Sequence, residues 1–487
     1  MQRIYKTGQS RKLILGITLF LVLSARGFGQ QEPGGKAPWG REQLLAAALQ
    51  ENSAYLLALS RSRESQALLS TAKAARLPAI RFSSNLSYLT NPPSLTINKG
   101  SLYPGANIPI PIPGSPAPLQ FPFPAFPDRD LSFNLSQNTH YEFGLSLEQP
   151  VFTWGRIHNS IKAADMGSRA AALQTEQERR NIKTALDSHL FTLAYLNQMR
   201  ELLGEQRRSV ERLITLSEES YANGFLLRAD LLSVRLLSAE VQLGDYGISE
   251  TWDNSLLAIK TITGVPDLTA ATLILPAEAS LNREVLGLSR ADKDRLFSQI
   301  LRANLGLKLL SLQTQARERT AAAARGQYYG KPELGLFLQL GYAGPDFPFV
   351  QEGWKENNKL NFTASLGIRG LLFDGGGIHQ TIRQKEEALT QAQLEEEKGR
   401  RDMEEHLEKM LHQIEVSRYR QEYLALKIEA AAAQKDKAES AWKSGYGEER
   451  EYLTQELSWY QDRIALLQEK LAALLRALQL ENLLNTP

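Results

Sequence analysis

The chain has 487 residues, 43% of them apolar and 23% charged, enough to build several packed units and too apolar to stay disordered. A mean hydropathy of −0.31 excludes a polytopic bundle of membrane helices, and the absence of cysteine excludes disulfides, thiolate metal sites, cysteine nucleophiles and lipid attachment through a lipoprotein cysteine. The formal net charge is +2, but Arg3, Lys6, Arg11, Lys12 and Arg26 precede residue 30 without an acid among them, so the rest is near neutral and gives no reason to expect nucleic acid.

Residues 1–29 read as a secretory signal peptide. A basic start leads into the apolar run Leu13 to Leu23, and Gly27 and Gly29 offer small residues before a cut at Gln30. The run is too short to span a bilayer, and the rival reading, an uncleaved anchor, also exports the chain. A helix follows, ending near Ala74-Ala-Arg-Leu-Pro78. Next comes a strand at about 79–90, with Ile80, Phe82, Leu86 and Tyr88 on one face and Arg81, Ser83, Asn85 and Ser87 on the other. From Asn91 to Pro127 the chain holds 11 of its 21 prolines. Proline has no amide donor, so a long irregular loop is expected there. A second strand at about 138–152 sets Tyr141, Phe143, Leu145 and Leu147 against His140, Glu142, Ser146 and Glu148. A long helix at about 155–222, a glycine turn at Gly224 and a helix at about 227–262 complete a first repeat spanning 30–266, and a linker covers 267–289.

The second repeat, 290–487, runs through the same order: a helix, strands at about 333–342 and 360–372, a long helix at about 377–443 and a helix at about 449–484. Phe152 answers Phe373, Gly155 answers Gly376, His158 answers His379 and Gly224 answers Gly445, all 221 residues apart. An ungapped match over that distance requires one fixed length of rigid element in both halves. Leu453, Leu457, Tyr460, Ile464, Leu467, Leu471, Leu474 and Leu478 keep a 4-3 spacing, and Leu232, Leu236, Ala239, Leu243 and Tyr246 occupy the matching register. Both stripes read as coiled-coil seams, with Glu469 off the seam and expected to tolerate lysine.

Each strand is about ten residues of period two, the length a tilted strand needs to cross an outer membrane. The bland alternative is a soluble sandwich, but two hairpins cannot shield their own edges. A closed barrel needs at least eight strands. Pooling strands with further copies is therefore favoured over burying the sheet within one chain. The fold expected is mainly α with a small β part.

The order of these parts resembles the TolC-like outer membrane efflux proteins over essentially all of the chain after residue 29. The resemblance is carried by Ala74-Ala-Arg-Leu-Pro78, by the joints Gln149-Pro-Val-Phe-Thr-Trp-Gly-Arg and Leu372-Phe-Asp-Gly-Gly, by the turns Tyr221-Ala-Asn-Gly and Trp442-Lys-Ser-Gly, and by Ile262-Thr-Gly-Val-Pro266. It implies a homotrimer in the outer membrane of a Gram-negative-type cell. Four strands per protomer would make a twelve-stranded transmembrane β-barrel, continued by a long coiled-coil α-barrel with a midway belt in the periplasm. It also implies a periplasmic adaptor and an inner membrane pump, proton-driven or ATP-driven, as partners.

The resemblance puts the gate and adaptor contact at the turns, with Gly224, Asp230, Gly445, Glu448, Glu449, Arg450 and Glu451; a plain helical hairpin is the other reading of the glycines alone. The second turn departs from the family pattern, because the basic residue has moved to Arg450 and Gly447 stands in its usual place. Phe152, Gly155, Phe373, Gly375 and Gly376 would form the barrel-to-helix joints, and Arg81, Glu142, Glu148 and Arg369 would face the lumen by alternation. No catalytic constellation, cofactor motif or metal pattern is present. Gly375-Gly-Gly377 lacks the lysine and hydroxyl residue of a phosphate loop, and His406 and His412 are six apart, off one helical face. The reading is a non-enzymatic conduit that exports small molecules or proteins; the alternative is an exported, non-conducting coiled-coil scaffold.

Overall fold

The computed structural model describes residues 38–276 and 290–484; the signal-type segment and residues 277–289 of the linker lie outside them. Helices α1 (Arg41–Glu51) and α2 (Ser53–Ala74) lead to β1 (Ala79–Tyr88). Four short strands follow, β2 (Ser94–Ile97), β3 (Ala106–Ile110), β4 (Leu119–Phe123) and β5 (Leu131–Asn134), then β6 (Thr139–Phe152), α3 (Arg156–Ala222) and α4 (Arg228–Thr263). The second half contains α5 (Arg290–Ala303), α6 (Leu305–Arg325), β7 (Glu333–Gly344), the single turn α7 (Trp354–Asn357), β8 (Lys359–Arg369), α8 (Gly377–Lys443) and α9 (Glu449–Leu484). The twins match in length: α3 and α8 have 67 residues each, and α4 and α9 have 36. At 1.5 Å per residue the long pair reaches about 100 Å. Ion pairs one turn apart, such as Asp165–Arg169 at 2.9 Å on α3 and Arg400–Glu404 at 3.1 Å on α8, lace their outer faces.

β1, β6, β7 and β8 form one antiparallel sheet in that order. Its register aligns a single apolar face across all four strands: Phe82 lies beside Leu145, Leu145 beside Leu340, and Leu340 beside Phe362. That face stays open, with Phe82 70% and Phe362 68% exposed. The helices repeat the strand order. α2 packs on α3, α3 on α6 and α6 on α8, and each of these helices is joined directly to one strand of the sheet. Farther from the sheet α4 packs on α3, α3 on α9, and α9 on α8. Sheet and helix layer are thus both open, with β1, α2 and α4 along one side and β8 and α8 along the other.

The core runs along the inner faces of this layer. Leu190, Leu193 and Met199 of α3 cluster with Val241, Ile248 and Trp252 of α4 and with Leu453 and Leu457 of α9. Midway along, α1 is tied to α3 by Arg41, whose Nε and Nη2 donate to the buried Asp187 at 2.6 and 2.7 Å. A smaller cluster joins Ile300 of α5 to Leu407, Met410 and Ile414 of α8 and Leu480 of α9.

Five expectations need correction. The opening helix of each repeat is two helices, broken at Asn52 and Asn304, whose side chains accept from the amides that start the second piece; a short polar side chain competes with the helix for those amides. The last strand stops at Arg369, leaving Gly370, Leu371 and Leu372 outside it. The proline-rich stretch is not irregular: β2 pairs with β5, and β3 with β4. Pro109 and Pro122 sit opposite Gln120 and Asn107, on rungs whose nitrogens must point away from the partner strand, so the missing donors cost nothing there. The stripe Leu232, Leu236, Leu243 and Tyr246 is exposed, and α4 instead buries Leu231, Val241, Ile248 and Trp252. Glu469 is half-buried, accepting from Ser417 Oγ and lying 3.7 Å from Arg476.

Candidate functional site

Three regions are candidates for function: the polar face of the sheet, the strand-to-helix joints and the two helical turns. The polar face carries all four residues singled out for it. Arg81 Nη1 meets Glu148 Oε2 at 2.8 Å across the β1–β6 pair. Glu142 lies opposite Asn85. Arg369 lies opposite Glu333, with its guanidinium 5.5 Å from the Phe337 ring centroid. Glu333 in turn meets Arg156 at the start of α3. The face is therefore polar and of mixed sign, with Arg81 and Glu148 paired across it.

The joints convert strand into helix through left-handed backbone. Gly155 caps α3 with φ 79° and Gly376 caps α8 with φ 92°, preceded by Gly375 at φ 70°, values that glycine adopts without cost. At the first joint the Phe152 and Trp154 rings meet edge-on at 5.0 Å, and Trp154 Nε1 donates to Pro332 O at 2.9 Å. At the second, Asp374 accepts from the amides of Gly376 and Ile378 and from the Tyr329 hydroxyl. The hydrogen bond from Tyr329 leads the causes that hold this carboxylate below its ordinary range. Phe373 itself is exposed.

The turns are twins. Gly224 and Gly445 both have φ 77°. Phe225 N donates to Ser220 O at 2.8 Å, and Tyr446 N to Ala441 O at 3.0 Å, the same helix-closing bond in each repeat. Asp230 is exposed on the first turn of α4 and makes no ion pair among the described residues. On the second turn Arg450 Nη2 meets Glu448 Oε2 at 3.2 Å, and Glu451 is exposed. Glu449 does not belong to an open acidic cluster: Arg212 of α3 grips it with Nε and Nη2 at 2.8 and 2.9 Å, and that bond lowers the carboxylate's pKa.

Sequence reasoning missed Arg212, which is 237 residues away in the chain. It also passed over the tip aromatics. Phe225 is 86% and Tyr446 93% exposed, and their place directly after each turn glycine was the available signal. Among the described residues no group of acidic or histidine side chains could hold a metal ion.

A family model described as outer membrane efflux protein matches residues 44–265 and 296–486. Among solved structures, the outer membrane protein VceC of Vibrio cholerae has a TM-score of 0.70 at 17% identity, covering 91% of this chain and 96% of its own. The outer-membrane channel OprN gives 0.68 at 16% identity, with 92% and 90% covered. The CmeC outer membrane channel of Campylobacter jejuni gives 0.63 at 15% identity, with 100% and 94% covered. No curated protein sequence matches the chain.

Proposed function

We propose a function from the premise that the chain belongs to the outer membrane efflux protein family: three copies form a continuous conduit that exports solutes across the periplasm and the outer membrane. The observation that carries this reading is the coincidence of strand order with helix order, open along the same two sides. An open layer with two unlike edges is completed by a head-to-tail contact, and such contacts close into a ring when repeated by rotation. Two copies would give eight strands, a barrel whose interior is filled by side chains. Three give twelve, the smallest closed assembly of this chain that leaves a lumen. Apolar stripes lie waiting on both edges: Leu232, Leu236 and Leu243 on α4, and Tyr419, Tyr423 and Leu426 on α8, all exposed.

In the assembled conduit the apolar sheet face meets lipid and the polar face meets water. Arg81, Glu142, Glu148 and Arg369 then line the lumen, and their mixed sign passes many kinds of solute. The glycine joints turn barrel wall into helical wall. The hairpin tips close the periplasmic end and receive an adaptor, which couples the conduit to an inner membrane pump. Phe225 and Tyr446 are the apolar contacts offered to that adaptor. Asp230, exposed and without an ion pair among the described residues, supplies the charge that three copies bring around one axis.

The test is heat-resistant trimer bands in detergent together with single-channel current in planar bilayers. A monomer released from membranes by salt alone, without current, would sink the conduit and leave the non-conducting scaffold.

A further inference from the structure

We propose that the hairpin arm at residues 98–127 is a membrane-surface element that lays one face onto the outer leaflet around the barrel. The proposal rests on the outer membrane reading above. Its first support is compositional: residues 100–127 contain no charged side chain and no histidine. The arm also has a sided structure. In the β3–β4 ladder Ile108 pairs with Phe121, Ile110 with Leu119 and Ala106 with Phe123. All six side chains share one face, and all six are exposed. Asn107, Pro109, Gln120 and Pro122 make the other face. An exposed apolar ribbon face of this kind marks an interaction surface.

The prolines narrow the choice of occupant. Pro109 and Pro122 lie on the outward-pointing rungs, and Pro111, Pro118 and Pro124 continue the same phase on the two strands. Each edge of the ribbon therefore keeps a single outward donor between its prolines, Asn107 on β3 and Gln120 on β4, too few for another strand to add along it. A second copy of the arm cannot cover the ribbon by extending its sheet. The same loss of donors suits an element lying at the boundary between headgroups and acyl chains, where unpaired backbone donors are costly.

Continuity with the membrane hairpin completes the argument. The arm grows from β1 and β6, whose shared face carries Phe82, Leu145 and Tyr141. At the loop end of that face Phe347 stacks edge-on against Tyr141 at 5.2 Å and Trp354 against Tyr342 at 6.2 Å. Such an aromatic rim belongs at a membrane–water boundary. The arm thus leaves the sheet at the level of the lipid surface.

The absence of native cysteine allows a direct test on the full chain. Phe121→Cys, Gln120→Cys and Phe82→Cys are each labelled with bimane and reconstituted into phosphatidylcholine vesicles carrying brominated acyl chains. Quenching at Phe121 approaching that at Phe82, with little at Gln120, is the expected result. Quenching at Phe82 but not at Phe121 overturns the arm's lipid contact, and disulfide cross-linking between copies at Phe121→Cys would then identify a cap over the barrel mouth. Equal quenching at Phe121 and Gln120 overturns the sidedness on which the proposal stands. No quenching at Phe82 defeats the lipid-facing sheet itself, and the arm falls with it.

Discussion

Helices α4 and α9 make an instructive pair. They have the same length, follow twin turns and carry the same 4-3 apolar spacing, yet Leu457 of α9 is 1% exposed while Leu236, its match 221 residues earlier, is 61% exposed. The cause is position in the layer. α9 lies between α3 and α8, whereas α4 packs its other stripe on α3 and ends the row. A repeated pattern in sequence therefore does not fix a repeated burial in space. At the edge the same leucines stay exposed in the single chain, and the proposed ring would cover them with a neighbouring copy.

Breaking the comparison at its strongest point gives the largest expected effect. Leu457→Asp buries an unpaired carboxylate at a cost on the order of 4 kcal/mol, and thermal melting of the protomer should show it. Leu236→Asp should leave the protomer's melting nearly unchanged but remove the trimer on sizing in detergent. Equal behaviour of the two variants would sink the assignment of α4 as an edge.

Next in size is the tie between α1 and α3. Arg41→Ala leaves the buried Asp187 without its bidentate partner, at a cost of about 2 kcal/mol. The loss should appear as faster hydrogen exchange in α1 and the middle of α3, with the tips unaffected. Gly224→Val comes third. A Cβ at Gly224 would meet nothing within 4 Å, so the cost of about 1–2 kcal/mol is purely that of left-handed backbone in a β-branched residue. Adaptor cross-linking at the tip should fall while the barrel still assembles, and unchanged cross-linking would remove the tip from the contact.

The smallest effect is a pH dependence at the second tip. Arg212 depresses the pKa of Glu449 below its ordinary 4.5, so the stabilisation is present above 4.5 and is lost as pH falls through the depressed value. Hydrogen exchange at the start of α9 should rise across that interval. Arg212→Ala should abolish that rise.

Much of this was legible because it rests on local chemistry. Glycine at Gly224, Gly445, Gly155 and Gly376 announces positive φ, and alternation along Ile80 to Tyr88 announces a two-faced strand. The paired arm from Ser94 to Asn134 was hidden because proline content argues against strands until the phase of Pro109 and Pro122 across the ladder is known. The breaks at Asn52 and Asn304 were hidden because asparagine, though a favoured cap, also occurs inside helices, and no proline marks either break. The burial of Leu231 rather than Leu232 depends on the helix's place in the row, and the Arg212–Glu449 grip on which helices meet. Neither is a property of the segment in which it is read.

The matched helix lengths constrain how the molecule could be re-sized. α3 and α8 run side by side with α4 and α9 in one wall, so an added residue in any one of them would rotate its apolar stripe by about 100° out of register. A change of length that keeps the same seam would come in steps of seven residues, inserted at the same level in all four helices, each step lengthening the wall by about 10 Å. A cell with a deeper periplasm could obtain a longer duct by such a coordinated insertion, whereas the arm between β1 and β6 is free to grow or shrink by single residues. Gauge is thus written in the helices and ornament in the loop.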